Sequence, residues 1–396
     1  MEVVSGLTLR SIFLHNDNWL RFLTSNHRLI RSAILVGVMK MLTCRTKEMG
    51  FHTYSCPICN YSVNVPHSCK SKFCSPCGKK ATDNWISKNY NILPKTIWQH
   101  ITFTIPEQLR DIFWMNRHLF NLFPKLAADI IKKFAAAKGI LPALFVAPHT
   151  FGRDIKRNPH IHVSTTKGGL TFDMKRWSNN LYFKEAKLKT MWRYAVINMM
   201  RTQYKNGNLR LPPYLNHIKD YTAFNSWLNF LYSKKWVVHL GRYSNNHKKN
   251  IDYLGKYLKR PPIGETRIKS YDGKLVTFIY KDHKDNAWRK MTLPVMEFIG
   301  KLISHIQDKN FKGIRYYGLL ANRVRGTLLP LAHKLLNSAA DLSKKTFRSW
   351  RQLICSTFGH DPLICPKCHV EMKLTETTFA KKLSIADMMQ VIKNKN

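Results

Sequence analysis

Two histidines one residue apart, His160 and His162, stand in the stretch KRNPHIHVSTTKG from Lys156 to Gly168. The apolar alternation around them reads as a strand, in which alternate side chains share a face. Both imidazoles then point one way and Ile161 the other. Paired neutral imidazoles are a natural clamp for a divalent metal. The third ligand has two candidates. His149, at the end of the strand candidate LPALFVAP, reaches the same face if the strands pair, and Asp154 lies in the turn between them. A second arrangement able to do chemistry is Tyr253 with Tyr257, in the helical stretch NIDYLGKYLKR that Pro261 and Pro262 stop. Residues i and i+4 are neighbours on one helix face. A phenol forms covalent intermediates when a nearby cation or metal favours the phenolate.

The nine cysteines point to metal of another kind, since six of them fall between Cys44 and Cys77. In an unsecreted chain such a cluster reads as metal ligation and not as a disulfide framework. Cys56-x-x-Cys59 and Cys74-x-x-Cys77 are knuckles, each able to give two thiolates to one tetrahedral zinc. Cys44, His52, His67 and Cys69 exceed the need of one site. A second zinc, exchange among ligands and buried packing all remain open for them. Cys365-x-x-Cys368 offers a further knuckle, completed by Cys355 or His360. Lys70, Lys72, Lys79 and Lys80 flank the first two knuckles and suit phosphate contact.

These groups need elements to hold them. Residues 1–43 read as helical and half apolar, packing against the next module, and 44–96 as the zinc-binding module. Residues 97–310 form a sheet domain: the strand WQHITFTI, two long helices, LPALFVAP, then the His-x-His strand turning at Gly168-Gly169. The stretch 170–232 reads as a helical insertion of basic surface. The strand KKWVVHLGR and a hairpin turning at Asp272-Gly273 follow it. Residues 311–396 form a basic C-terminal region. The order of elements predicts an α+β fold with a central antiparallel sheet and flanking helices.

Charge narrows the partners. With 65 Lys and Arg against 23 Asp and Glu, the formal charge is +42. Such an excess repels itself unless a polyanion neutralises it, and nucleic acid comes first. The basic residues are spread along the chain and not gathered beside an apolar helix, which argues against a membrane surface. The best apolar run, Ala33 to Leu42, is broken by Lys40 and begins too late for a signal peptide. The expected location is therefore the cytoplasm, in association with the nucleoid.

Taken together these stretches resemble the rolling-circle insertion-sequence transposases of the IS91 type, two-tyrosine members of the HUH (His-hydrophobic-His) class. CRTKEMGFH with SCKSKFCSPCG resembles the family's zinc-binding domain, HTFGRDIKRNPHIHV its metal motif and YLGKYLKRPPI its tyrosine motif. IRYYGLLANRVRG resembles its C-terminal signature, and ITFTIP takes the place of the class's first strand. The resemblance implies an HUH-type nuclease domain that cuts and transfers single-stranded DNA. It makes His160, His162 and His149 ligands of Mg²⁺ or Mn²⁺, and Tyr253 and Tyr257 the nucleophiles of a 5′-phosphotyrosine intermediate. Lys256 and Arg260, on the same element, would steer DNA phosphates or lower a phenol pKa. Single-stranded DNA and the host replication machinery are the implied partners. A rolling-circle replication initiator would use the same chemistry, but no Gly-x-x-x-x-Gly-Lys-Ser/Thr phosphate loop is present. A non-catalytic zinc-dependent DNA-binding protein is the alternative of another class.

Overall fold

The computed structural model describes residues 7–90, 92–246, 249–252, 255, 261–282, 285–338 and 349–379. Its strands in chain order are β1 (Gly50–Ser55), β2 (Ser62–Pro66), β3 (Trp98–Thr104), β4 (Ile140–Phe151), β5 (Arg157–Thr171) and β6 (Trp177–Ser178). After them come β7 (Val238–Leu240), β8 (Ile268–Tyr271), β9 (Leu275–Lys281), β10 (Trp288–Pro294), β11 (Arg315–Gly318) and β12 (Lys373–Phe379). They form three antiparallel sheets, so the predicted α+β class holds.

The central sheet runs β11-β4-β5-β3-β7, with β6 added on β5. Period-two alternation divides its faces. Ile101, Phe103, Leu144, Val146, Ile161 and Val163 enter one large apolar core, built against the helices Leu119–Ala136, Glu185–Lys205 and Tyr221–Ser233. Phe145 and Ala147 belong instead to a core on the opposite face, shared with Trp85 and Ile251. The histidines occupy that second face, as the alternation of β5 requires.

Two expectations are corrected here. The stretch 170–232 is not an insertion of surface: its helices close the main core. Trp192 is fully buried there, and its indole Nε1 donates to the Thr104 carbonyl at 2.7 Å. Nor does the chain turn at Gly168-Gly169, because β5 continues to Thr171. A Cβ on Gly169 would lie 2.3 Å from the Leu141 carbonyl oxygen, and one on Gly168 2.2 Å from that of Ser178. Glycine lets β4 and β6 close on β5 from both sides.

A second sheet, β10-β9-β8, packs with the helix Val295–Ser304 and the N-terminal helices Leu9–Leu14, Asn18–Asn26 and Ser32–Leu42. The hairpin turns where expected: Gly273 has φ 93°, and Asp272 Oδ1 accepts from the amides of Lys274 and Leu275. The third sheet is β12-β1-β2. Residues 311–379 are thus shared out and not one separate region, since β11 edges the central sheet and β12 pairs with β1.

The turn between β4 and β5 is locked. Ile155 sits in the left-handed region (φ 57°), a costly conformation for a β-branched residue. Its side chain is buried, and its carbonyl accepts from His305 Nε2 at 2.9 Å.

Candidate active site and cysteine clusters

Register brings the histidines together. His149 on β4 stands opposite His160 on β5, and Thr102 on β3 opposite His162. One ring nitrogen from each of His149, His160 and His162 falls within 4.8 Å of the others. His160 Nε2 and His162 Nε2 are 2.9 Å apart. Ligands at right angles on an ion at about 2.1 Å would stand about 3.0 Å apart, so this spacing suits a shared cation. Asp154, the rival third ligand, is not among the three: its carboxylate lies 3.6 Å from Lys156 Nζ.

Neighbours orient the rings. His160 Nδ1 lies 2.6 Å from the Asn158 carbonyl, which fixes that nitrogen as the donor and leaves Nε2 as a lone pair. His162 Nδ1 lies 2.8 Å from His100 Nε2, and His100 Nδ1 lies 3.1 Å from Ser164 Oγ. Burial, then the charges of His149, His160 and His100, hold His162 well below the ordinary imidazole range. Burial, then His239 and His160, push His100 down to about 3. Both rings are therefore neutral at neutral pH, the form that ligates a metal. His100 was not singled out in the sequence reading.

The cysteines divide differently from the sequence expectation. The two N-terminal knuckles do not share a site. Cys74 and Cys77 group with Cys44 and Cys69, whereas Cys56 and Cys59 group with Cys365 and Cys368. In the first group Cys77 Sγ lies 3.6 Å from both Cys44 Sγ and Cys69 Sγ. Tetrahedral zinc with sulfurs at about 2.3 Å spaces them about 3.8 Å apart, close to this value and far beyond a disulfide bond. Cys77 lies in the first turn of the helix Ser75–Tyr90, and the sulfurs of Cys44, Cys69 and Cys74 hold its thiol far below the ordinary range. His52 stands outside both groups, because its position on β1 directs Nδ1 to Thr377 Oγ1 at 3.0 Å and its ring against His67. Cys355 and His360 are outside as well.

A cavity of about 770 Å³ opens beside His149. The helix Ser32–Leu42, the loop after Cys69 and residues 305–313 wall it, with Lys40, Lys70, Lys72 and Lys309 among its lining. Its one lining acid, Asp308, is already held by Arg31 and Arg117. Pro261 and Pro262 line it too. Tyr253, Lys256, Tyr257 and Arg260 lie outside the described residues. Their described neighbours are anchored: Ile251 is buried, and Gly255 approaches Ile86 on the helix Ser75–Tyr90 so closely that a Cβ would come within 2.3 Å. Among the described residues no helix is long and apolar enough to cross a membrane.

Comparison with known proteins identifies the family. A family model described as "Putative transposase" matches residues 144–327, and one described as "Transposase zinc-binding domain" matches residues 14–105. The chain is 34% identical over 375 residues to the transposase for insertion sequence element IS801 of Pseudomonas savastanoi pv. phaseolicola, covering 93% of this chain and 89% of that one. It is 27% identical over 346 residues to the putative transposase y4qJ of Sinorhizobium fredii (strain NBRC 101917 / NGR234), covering 85% of this chain and 87% of the relative. No solved structure shows a significant match. The chain therefore belongs to the family of IS91-type insertion-sequence transposases.

Proposed function

We propose that this transposase cuts and rejoins single-stranded DNA by a metal-dependent, rolling-circle route with Tyr253 and Tyr257 as nucleophiles. The observation that carries the reading is the grouping of three imidazoles, one of which, His149, lines a lysine-lined cavity that also reaches Pro261 and Pro262, next to the tyrosine segment. His149, His160 and His162 are the proposed ligands of Mg²⁺ or Mn²⁺, whose oxygen-seeking open face a phosphate would fill. Bound there, the ion would polarise the scissile phosphate and offset the charge that builds in the transition state.

The chain's own groups then divide the work. Lys40, Lys70, Lys72 and Lys309 draw the DNA strand into the cavity, and exposed aromatics elsewhere on the surface supply stacking for its bases. Lys256 and Arg260 favour the phenolate by their charge. The Oη of one tyrosine attacks phosphorus, the bond to the 3′-oxygen breaks, and that oxygen takes up the proton that the phenol lost. The products are a 5′-phosphotyrosine and a free 3′-OH. Because the phosphodiester energy is kept, a 3′-OH can attack in return and no ATP is required. The second tyrosine makes the next cut before the first link is resolved. Zinc at Cys44, Cys69, Cys74 and Cys77 fixes the loop that presents Lys70 and Lys72. The host replication machinery supplies strand separation, and the protein works on DNA of the nucleoid.

The test is incubation of end-labelled single strands from the element's termini with Mg²⁺ or Mn²⁺ and with EDTA, run on a denaturing protein gel. A metal-dependent shifted band that Tyr253→Phe/Tyr257→Phe protein lacks is the expected result. No band from folded, zinc-loaded wild type would leave a protein that only binds DNA.

A further inference from the structure

We propose that Cys56, Cys59, Cys365 and Cys368 hold a second zinc ion that fastens the C-terminal strand β12 to the N-terminal module. Neither family match reaches its C-terminal half, since they end at residues 105 and 327. Four sulfurs gather within 4.8 Å, and Cys59 Sγ stands 3.7 Å from Cys365 Sγ although 306 residues separate them. That distance is the edge of a zinc–thiolate tetrahedron, about 3.8 Å, and not a disulfide bond.

The two knuckles are built alike. The Cys56 amide donates to the Tyr61 carbonyl at 2.8 Å, and the Cys365 amide to the Val370 carbonyl at 2.9 Å, each five residues on. The Asn60 amide returns to the Cys56 carbonyl at 3.2 Å, and the His369 amide to the Cys365 carbonyl at 2.9 Å. Asn60 and His369 both take positive φ, 55° and 57°. Each turn thus folds a Cys-Pro-x-Cys run so that its two sulfurs face one point. The four-sulfur set completes a structural zinc site, which is closed to solvent ligands.

Energetics give the ion a reason. β12 is exposed along most of its length, and the apolar cluster beneath the knuckles has only Cys56, Cys365 and Met372 fully buried. A sheet with so little apolar burial needs a staple, and metal binding supplies folding free energy directly. Each thiol releases its proton on binding, so the site forms as four thiolates around one divalent cation.

The experiment uses the full chain. Zinc content by plasma mass spectrometry and cobalt substitution, read by thiolate-to-cobalt charge-transfer absorption, should give two equivalents per chain. Cys365→Ser/Cys368→Ser protein should retain one, and Cys355→Ser protein, altered outside both clusters, should keep two. Alkylation of native zinc-loaded wild type, mapped by peptide mass, should label Cys355 and spare the other eight cysteines. This readout needs no variant to fold. One equivalent in wild type, or alkylation of Cys56, Cys59, Cys365 and Cys368 while the first cluster is spared, would overturn the proposal. None of these readouts depends on DNA cleavage.

Discussion

Replacing His100 by Phe should weaken divalent-metal binding at the histidine site while leaving the fold and the zinc in place. His100 Nε2 faces His162 Nδ1 at 2.8 Å, and its own Nδ1 is held by Ser164 Oγ at 3.1 Å. The chain from serine to imidazole to imidazole sets both the tautomer and the tilt of His162. Phe keeps a planar ring but removes the acceptor, so the nearest remaining partner of His162 Nδ1 is Thr102 Oγ1 at 3.3 Å. Loss of such an outer partner weakens metal binding about 10- to 100-fold, roughly 1.4 to 2.7 kcal/mol. Free Mn²⁺ measured by electron paramagnetic resonance during titration gives the affinity, and circular dichroism with zinc analysis checks the fold. His217→Ala, an exposed position between Leu215 and Tyr221 and outside the histidine group, is the control and should leave the affinity unchanged. An affinity for Mn²⁺ within threefold of wild type in folded His100→Phe protein would refute the orienting role.

Three further perturbations follow from the same geometry. Gly318→Ala should cost about 3 kcal/mol or more in thermal or urea unfolding, because φ there is +59° and a Cβ would meet the Pro142 carbonyl oxygen at 1.9 Å. Burial pushes His305 down to about 4 from an unfolded value near 6.5, so the unfolded chain takes up a proton that the folded chain refuses. Its contribution is fully present above pH 6.5 and is lost as pH falls toward 4, on the order of 3 kcal/mol in all. His305→Gln should flatten that part of the stability profile, measured by melting across pH. Lys70→Ala/Lys72→Ala should weaken single-strand binding and make the log K against log salt slope about 1.4 less negative. An unchanged slope in fluorescence anisotropy titrations would remove those lysines from the DNA path.

Much of the histidine site was legible because a strand imposes period two. Once His160 and His162 are placed on β5, their common face and the opposite burial of Ile161 follow. The meeting with His149 needed only that two neighbouring strands pair. His100 was hidden for a different reason. Its place depends on the register of β3 against β5, where Thr102 stands opposite His162, and nothing local in WQHITFTI encodes that register. The helices of 170–232 read as surface because their charged residues are conspicuous, whereas Trp192 and Val196 mark a narrow buried stripe. Cysteine spacing identified knuckles but could not pair them across 306 residues. A signal was nonetheless present: Cys56-Pro57 and Cys365-Pro366 open matching Cys-Pro-x-Cys runs, while Cys74-Ser75-Pro76-Cys77 differs.

The most direct test of the nuclease reading is the site of the covalent link. Wild-type protein is reacted with single-stranded terminal DNA and Mn²⁺, digested with nuclease and then trypsin, and analysed by mass spectrometry. Trypsin cuts after Lys249, Lys256 and Lys259, so Tyr253 and Tyr257 fall on separate peptides. A 5′-nucleotide mass on either of those peptides, abolished by EDTA, is the expected result. A nucleotide carried by any other peptide, or none at all from active protein, would contradict the assignment of these tyrosines.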